Sequence, residues 1–483
     1  MRNMSEAMAD LCCSQNETVL QCRHLGDLTL DEFITRQAGK VLRNRCLTPL
    51  QDPGDFYSLA SGFASERLGD KAGDGVLQAI KSGVISTADH HGALYCAQSF
   101  QGDLLFSLLI RKLQASGSYV PVFSGGQVEL GNVTYARGFI TYTSKEDKQT
   151  LPLFPVKQLN QMASKTPAFD REMLKRLRTR LPLTKTEPLA AKAVGEILDT
   201  LYDQADILQE KRFADQTTKL GFRLSQTLFK GEEEAPLLTY LELEEITLPL
   251  LIHDLTDKNS LIYRLLNHPE VPELMMKIRT PAGTPLSGLL FATSDKRGRK
   301  VFLTLTPDGV LVGRDWHGQA VRYPADIPNL VSLLKCHQIF PCLFTISLLL
   351  AFSRGITWMG GMFQSCYLPG WQQTLVMLLD EAHFSDEARL ISAYDCSGYI
   401  SGPMFALYPG EDFATPAGPI EFWIRRPEWS RLLELIRETS LWEAHRYGLA
   451  EMYPDLVSPE RREDDWYRII AEELSEMNAK GIL

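Results

Sequence analysis

A surplus of basic residues is the first thing this chain lacks. Fifty Lys and Arg stand against sixty Asp and Glu, for a formal charge of -10. Nucleic-acid binders take much of their affinity from neutralised phosphates, so no nucleic-acid partner is expected. The one basic stretch, Arg171 to Lys185, includes Lys175, Arg176, Arg178 and Arg180 and alternates with leucines at helical spacing. It is read as a solvated helix face. Long apolar runs are also missing. The most apolar stretch, Ile339 to Phe352, contains Pro341 and falls short of the ~20 residues a membrane-spanning helix needs. It is expected to be a buried helix, with no membrane contact. The nine cysteines include no Cys-x-x-Cys pair and only one adjacent pair, Cys12 and Cys13. Without framework or zinc spacing they are expected to be free thiols in a reducing compartment. Acidic Glu6 and Asp10 stand where a signal peptide would be apolar, so a cytoplasmic location is expected.

Two catalytic signatures are absent as well. There is no Gly-x-x-x-x-Gly-Lys-[Ser/Thr] phosphate loop, so the helicase-like run Leu375 to His383 and the transporter-like run Ser124 to Gln127 lose the partner their chemistry needs. There is no His-Glu-x-x-His either, and no metal site is assigned.

The remaining composition is that of a globular protein, 44% hydrophobic and 23% charged. The fold class read from the pattern is α/β, a Rossmann-like parallel sheet core with a helical insertion and an antiparallel β meander. Residues 1–82 are expected to be a helical N-terminal segment and 83–186 the first part of the core. Residues 187–280 are read as a helical insertion, 281–325 as the meander, and 326–483 as the core's continuation with C-terminal helices. The stripe Val194, Ile197, Leu198, Leu201, Ala205 and Leu208 makes 187–229 an amphipathic arm that needs a partner surface, such as a second subunit.

The most informative residues are 83–94. An apolar, β-branched run (Val84, Ile85) ends in Asp89-His90-His91-Gly92, and a helical pattern follows. In open α/β sheets, ligands bind at the carboxyl ends of strands. A helix starting there also offers unpaired N–H groups and a positive dipole end to an anion. Tyr119 to Phe123 forms a second strand, ending in Ser124-Gly125-Gly126-Gln127. A βαβ unit puts both loops on one edge of the sheet. His90, His91 and Asp89 are therefore the candidate catalytic residues. Gly92, Ser124, Gly125, Gln127, Asn132 and Arg137 are candidate substrate contacts, joined by Gln364 after the strand Ile356 to Met359.

The segment Val84 to Gly138 resembles the bacillithiol-biosynthesis cysteine ligase family. That family has a strand leading to Thr-Gly-Gln-Gln-x-Gly-Leu, a long helix, and a strand of the type Pro-Val-Phe-Trp. The counterparts are Ser86 to Leu94 and Pro121-Val122-Phe123. His90-His91 stands where the family has paired glutamines, and the family's Glu-Asp-His-Asp run is replaced by Ser124 to Gln127. The resemblance implies a Rossmann-like nucleotidyltransferase-type core and an activity that joins small molecules. The expected function is thus a biosynthetic ligase or transferase that binds an anionic or nucleotide-like small molecule at the His-His-Gly loop. A nucleotide fits that position better than a metal. A metal-dependent hydrolase and a non-catalytic binding or scaffold protein are the alternatives.

Overall fold

The computed structural model describes residues 10, 13, 17–90, 95–113, 118–132, 137–142, 149–184, 186–409, 414–466, 468–470, 472, 482 and 483. Ten strands build its two main sheets. They are β1 (Val84–Ser86), β2 (Tyr119–Ser124), β3 (Leu237–Glu242), β4 (Phe291–Ser294), β5 (Lys300–Leu305), β6 (Val310–Arg314), β7 (Ala320–Pro324), β8 (Ile339–Pro341), β9 (Thr357–Gly361) and β10 (Tyr399–Ser401). Five helices frame the sites described below: α1 (Ala97–Lys112), α2 (Arg171–Arg180), α3 (Phe213–Leu228), α4 (Leu243–Thr256) and α5 (Gln364–Glu381).

The core sheet has the order β10-β9-β1-β2-β3, and every neighbouring pair is parallel. Numbered by appearance within the sheet, this is 5-4-1-2-3, the Rossmann arrangement. The chain winds outward from β1 to β3, then returns to the other side of β1 for β9 and β10. The connections leaving β1 and β9 therefore diverge, and a crevice opens at their carboxyl ends. Both faces of the sheet are buried, as parallel sheets require. Val84, Val122 and Tyr240 enter one core while Ile85, Phe123 and Leu241 enter the other, the period-two alternation of a strand.

Helix α1 has no solvated face, since Ala97 and Ser99 through Ile110 are all buried. Its polar residues are consumed internally. The Gln101 amide accepts from Phe405 N and Ala406 N and donates to the carbonyls of Ala406 and Ala417. Gly102 lets α1 approach β10, where a Cβ would stand 2.9 Å from Ser401 Cα.

Three expectations change. Residues 187–280 are not a helical insertion: they include β3, an edge strand of the core sheet, and α3 packs on it as its crossover helix. The arm expected over 187–229 is broken into Pro188–Ile197, a π turn Leu198–Tyr202, the single turn Ala205–Leu208 and α3. Most of its stripe is covered within the chain, with Val194, Ile197, Leu198 and Leu201 buried, Leu208 half-buried and Ala205 exposed. Ile339 to Phe352 is not one helix, because β8 pairs with β4 before the chain turns helical at Leu343. The meander itself is present, in the order β8-β4-β5-β6-β7.

One buried histidine sets an acid limit on this fold. His445 is 1% exposed, and among the described residues neither ring nitrogen has a hydrogen-bond partner. Burial pushes its pKa from 6.5 down to about 3. Below pH 6.5 the unfolded chain takes up a proton that the folded chain refuses, so stability falls as pH drops from 6.5 towards 3. Well inside that window, each step of one pH unit removes about 1.4 kcal/mol. The melting temperature of His445→Leu should overtake that of the native chain increasingly between pH 6.5 and 4. Parallel melting curves over that range would show that the imidazole is satisfied.

Candidate active site at the carboxyl edge of the sheet

Each residue of the crevice is placed by a strand end. β1 runs on through Thr87, whose N–H donates to Met359 O of β9 at 3.1 Å. His90 then bridges in parallel to Gly125, so the histidine loop and the Gly-Gly-Gln loop are bound side by side. Between them lies a cavity of about 140 Å³ lined by Asp89, His90, Gly125, Gln127, Lys300 and Gln364, among others. Five sequence-derived candidates (Asp89, His90, Gly125, Gln127 and Gln364) thus meet in one place.

The remaining candidates divide. Ser124 is buried at the end of β2 beside the loop, with no hydrogen-bond partner for its hydroxyl among the described residues. Asn132 lies further out, in an open groove of about 770 Å³ that shares Gln127, Val128 and Lys300 with the cavity. Arg137 is not at the site. Its guanidinium donates to Phe154 O at 3.1 Å and faces a separate groove, because the chain turns away into the hairpin Gly138–Thr141 with Gln149–Pro152. His91 and Gly92 lie outside the described residues.

Electrostatics separate the roles of the two central side chains. His90 is half-buried, and burial pushes its pKa down from 6.5 to about 4. At neutral pH it is an uncharged imidazole, able to accept a proton. Asp89 is 3% exposed and accepts from the His90 backbone N–H at 2.7 Å. Beneath it, Asp103 of α1 accepts from Ser86 Oγ at 3.0 Å and from Tyr240 Oη at 3.1 Å. Burial, and then the charge on Asp89, raise the Asp103 pKa well above the usual carboxylate range. A like charge nearby in a low dielectric disfavours ionisation of the second carboxyl group.

Two side-chain amides complete the lining. Gln364 Oε1 accepts from Thr87 Oγ1 at 2.8 Å, and Tyr367 Oη lies at 3.4 Å. The Gln364 Nε2 has no partner among the described residues. The amide packs this closely on β9 only because residue 360 is glycine, where a Cβ would fall 2.2 Å from Gln364 Oε1. Gln127 Nε2 donates to Pro341 O of the meander sheet, while its Oε1 has no partner among the described residues. Buried polar atoms in native proteins are nearly always paired. Ser124 Oγ, Gln127 Oε1 and Gln364 Nε2 therefore mark this strand edge as unusual.

Sequence reasoning misses two residues of the site. Lys300 lies just past the Asp-Lys-Arg-Gly turn and reads as one more polar position of the meander. Glu244 sits in a Glu-Leu-Glu-Glu run with the look of an exposed helix face. It is in fact half-buried, accepting from Gly126 N at 2.7 Å and Gln127 N at 3.1 Å. Burial raises its pKa against the pull of those bonds. It clamps the loop after β2 to the first turn of α4, where an acid also meets the helix dipole.

Two groups of acids among the described residues could reach a common cation: Asp55 with His253 and Asp254, and Asp215 with Glu242 and Glu245. Neither includes Asp89 or His90. Arg354 lies between Asp55 and Asp254, and Arg212 contacts Glu242, Glu245 and Asp215. The positive charge a metal would bring is already supplied by guanidinium. Comparison of the whole chain with protein-family models, curated proteins and solved structures finds no match in any of the three.

Proposed function

We propose that this chain is a ligase- or transferase-type enzyme that binds an anionic or nucleotide-like small molecule at the β1/β9 switch point, with His90 as proton acceptor. The observation that carries the reading is the single cavity at that switch point, joining a neutral imidazole to two amides with unpaired polar atoms. Open α/β sheets place their ligands in this crevice. Lys300 is the cation in its lining, beside the carboxyl groups of Asp89 and Glu244, and is the contact an anionic group would use. Gln364 has a donor to offer and Gln127 an acceptor, a pair suited to orienting a polar molecule.

The adjoining groove suggests a substrate longer than the inner cavity. It is flanked by Phe302 and Trp316, which are 60% and 49% exposed, and by Asn132. A condensing enzyme needs room for two reactants, one held at the imidazole and the other approaching along the groove. The resemblance of Val84 to Gly138 to the cysteine ligase family points to the same class of reaction.

The test is incubation of the purified chain with a metabolite extract supplemented with nucleoside triphosphates, followed by mass spectrometry. A product joining two extract components, absent with His90→Ala, is the expected result. Ligand capture with no new product would support a non-catalytic binding protein. Absence of both capture and product would contradict the site itself.

A further inference from the structure

We propose that the groove between α2 and residues 152–158 is a second binding site, for a small molecule carrying two or more adjacent phosphates. The groove measures about 450 Å³, within the range of small-molecule sites. Four cations line it: Arg137, Lys157, Arg176 and Arg180. Asp170 is the acid in its lining, and its carboxylate already caps α2 by accepting from Met173 N at 2.8 Å.

Helix α2 provides an internal comparison. On one side two of its cations, though not the exposed Lys175, are neutralised within the chain: Arg171 meets Asp203 at 2.9 Å, and Arg178 meets Asp199 at 2.5 Å and Asp203 at 3.4 Å. On the groove side, Arg176 and Arg180 are one helical turn apart. Among the described residues no carboxylate pairs with either, or with Lys157 across the groove. Arg137 spends one N–H on Phe154 O and keeps its other donors. On a chain of net charge -10, unneutralised cations facing one cleft are a local exception to the overall field. Guanidinium groups match phosphate oxygens in pairs, and neighbouring phosphates would engage several of these side chains together.

Free oligophosphate and the phosphate tail of a nucleotide share this chemistry, and titration calorimetry of the full chain separates them by which of the two binds more tightly. Tripolyphosphate and ATP should both bind at low salt and weaken as salt rises, with AMP at least about tenfold weaker. Arg176→Glu and Arg180→Glu should each lower tripolyphosphate affinity by at least about tenfold. Lys175→Glu, the same charge change on an exposed neighbour outside the groove, should leave it within about twofold. His90→Ala should not affect it. Absence of binding at millimolar tripolyphosphate would overturn the proposal. So would equal losses from Lys175→Glu and Arg176→Glu, or binding that responds only to His90→Ala.

Discussion

Replacing His90 by alanine should abolish turnover, and His90→Gln should do the same while filling most of the same space. The expected loss is about 100-fold or more, the usual contribution of a positioned general base. Stability should change little, by about 1 kcal/mol, because the ring is half-buried at a loop and is not a core side chain. The pH profile supplies a second check. With its pKa near 4, His90 stays unprotonated down to mildly acidic pH, so the activity of the free enzyme should fall only as pH approaches 4. A base with an ordinary histidine pKa would already lose activity near neutral pH. Steady-state rates from pH 4 to 8 on the native chain and both variants distinguish these outcomes. Full activity in His90→Gln would remove the histidine from the mechanism.

The largest effect on stability is expected at Arg354. This side chain is 1% exposed and forms a two-pronged pair with the fully buried Asp254, both contacts at 2.8 Å. It also reaches Asp55 at 2.7 and 3.0 Å and the Leu349 carbonyl at 3.1 Å. One guanidinium thus joins the helix Gly54–Leu68, α4 and the turn leading into β9. Removing it strands the Asp254 carboxylate in the interior, at a cost of about 3–5 kcal/mol. Arg354→Met should therefore unfold at a much lower denaturant concentration. Adding Asp254→Leu should recover much of the loss, since an apolar pair of similar volume often replaces a buried ion pair without penalty. Equal stability of Arg354→Met and the native chain would show that the pair contributes nothing net.

The fold is legible where chain chemistry marks its own boundaries. β1, α1 and β2 follow one another with polar loops between them, and the meander turns at Asp308-Gly309 and in the Asp-Lys-Arg-Gly segment. β3 is not legible. Leu237-Leu-Thr-Tyr-Leu-Glu passes into α4 with no Gly, Pro or Asn between strand and helix. A short apolar run without punctuation fits strand and helix equally well. Without β3, a crossover helix looks like an insertion. α1 is legible as a helix but its full burial is not, since a helix buried on every side has no polar face to reveal its setting. At the site, adjacency in space of the loops after β1 and β2 follows from the handedness of a βαβ unit alone. Arg137 follows the same logic and fails, because sequence proximity to a strand end does not fix where a later hairpin carries the chain. Lys300 and Glu244 come from distant segments. Only the docking of the meander and α4 against the strand edge brings them in.

A crystal structure of the full chain, soaked with a mixture of nucleotides and small carboxylates, decides whether the β1/β9 crevice is the binding site. An ordered ligand is expected between His90, Gln127, Lys300 and Gln364, with the Gln364 Nε2 and Gln127 Oε1 atoms now bonded to it. That density should disappear in Gln364→Ala crystals soaked in the same way. Ligand density elsewhere on the chain, with the crevice filled only by water, would contradict the assignment.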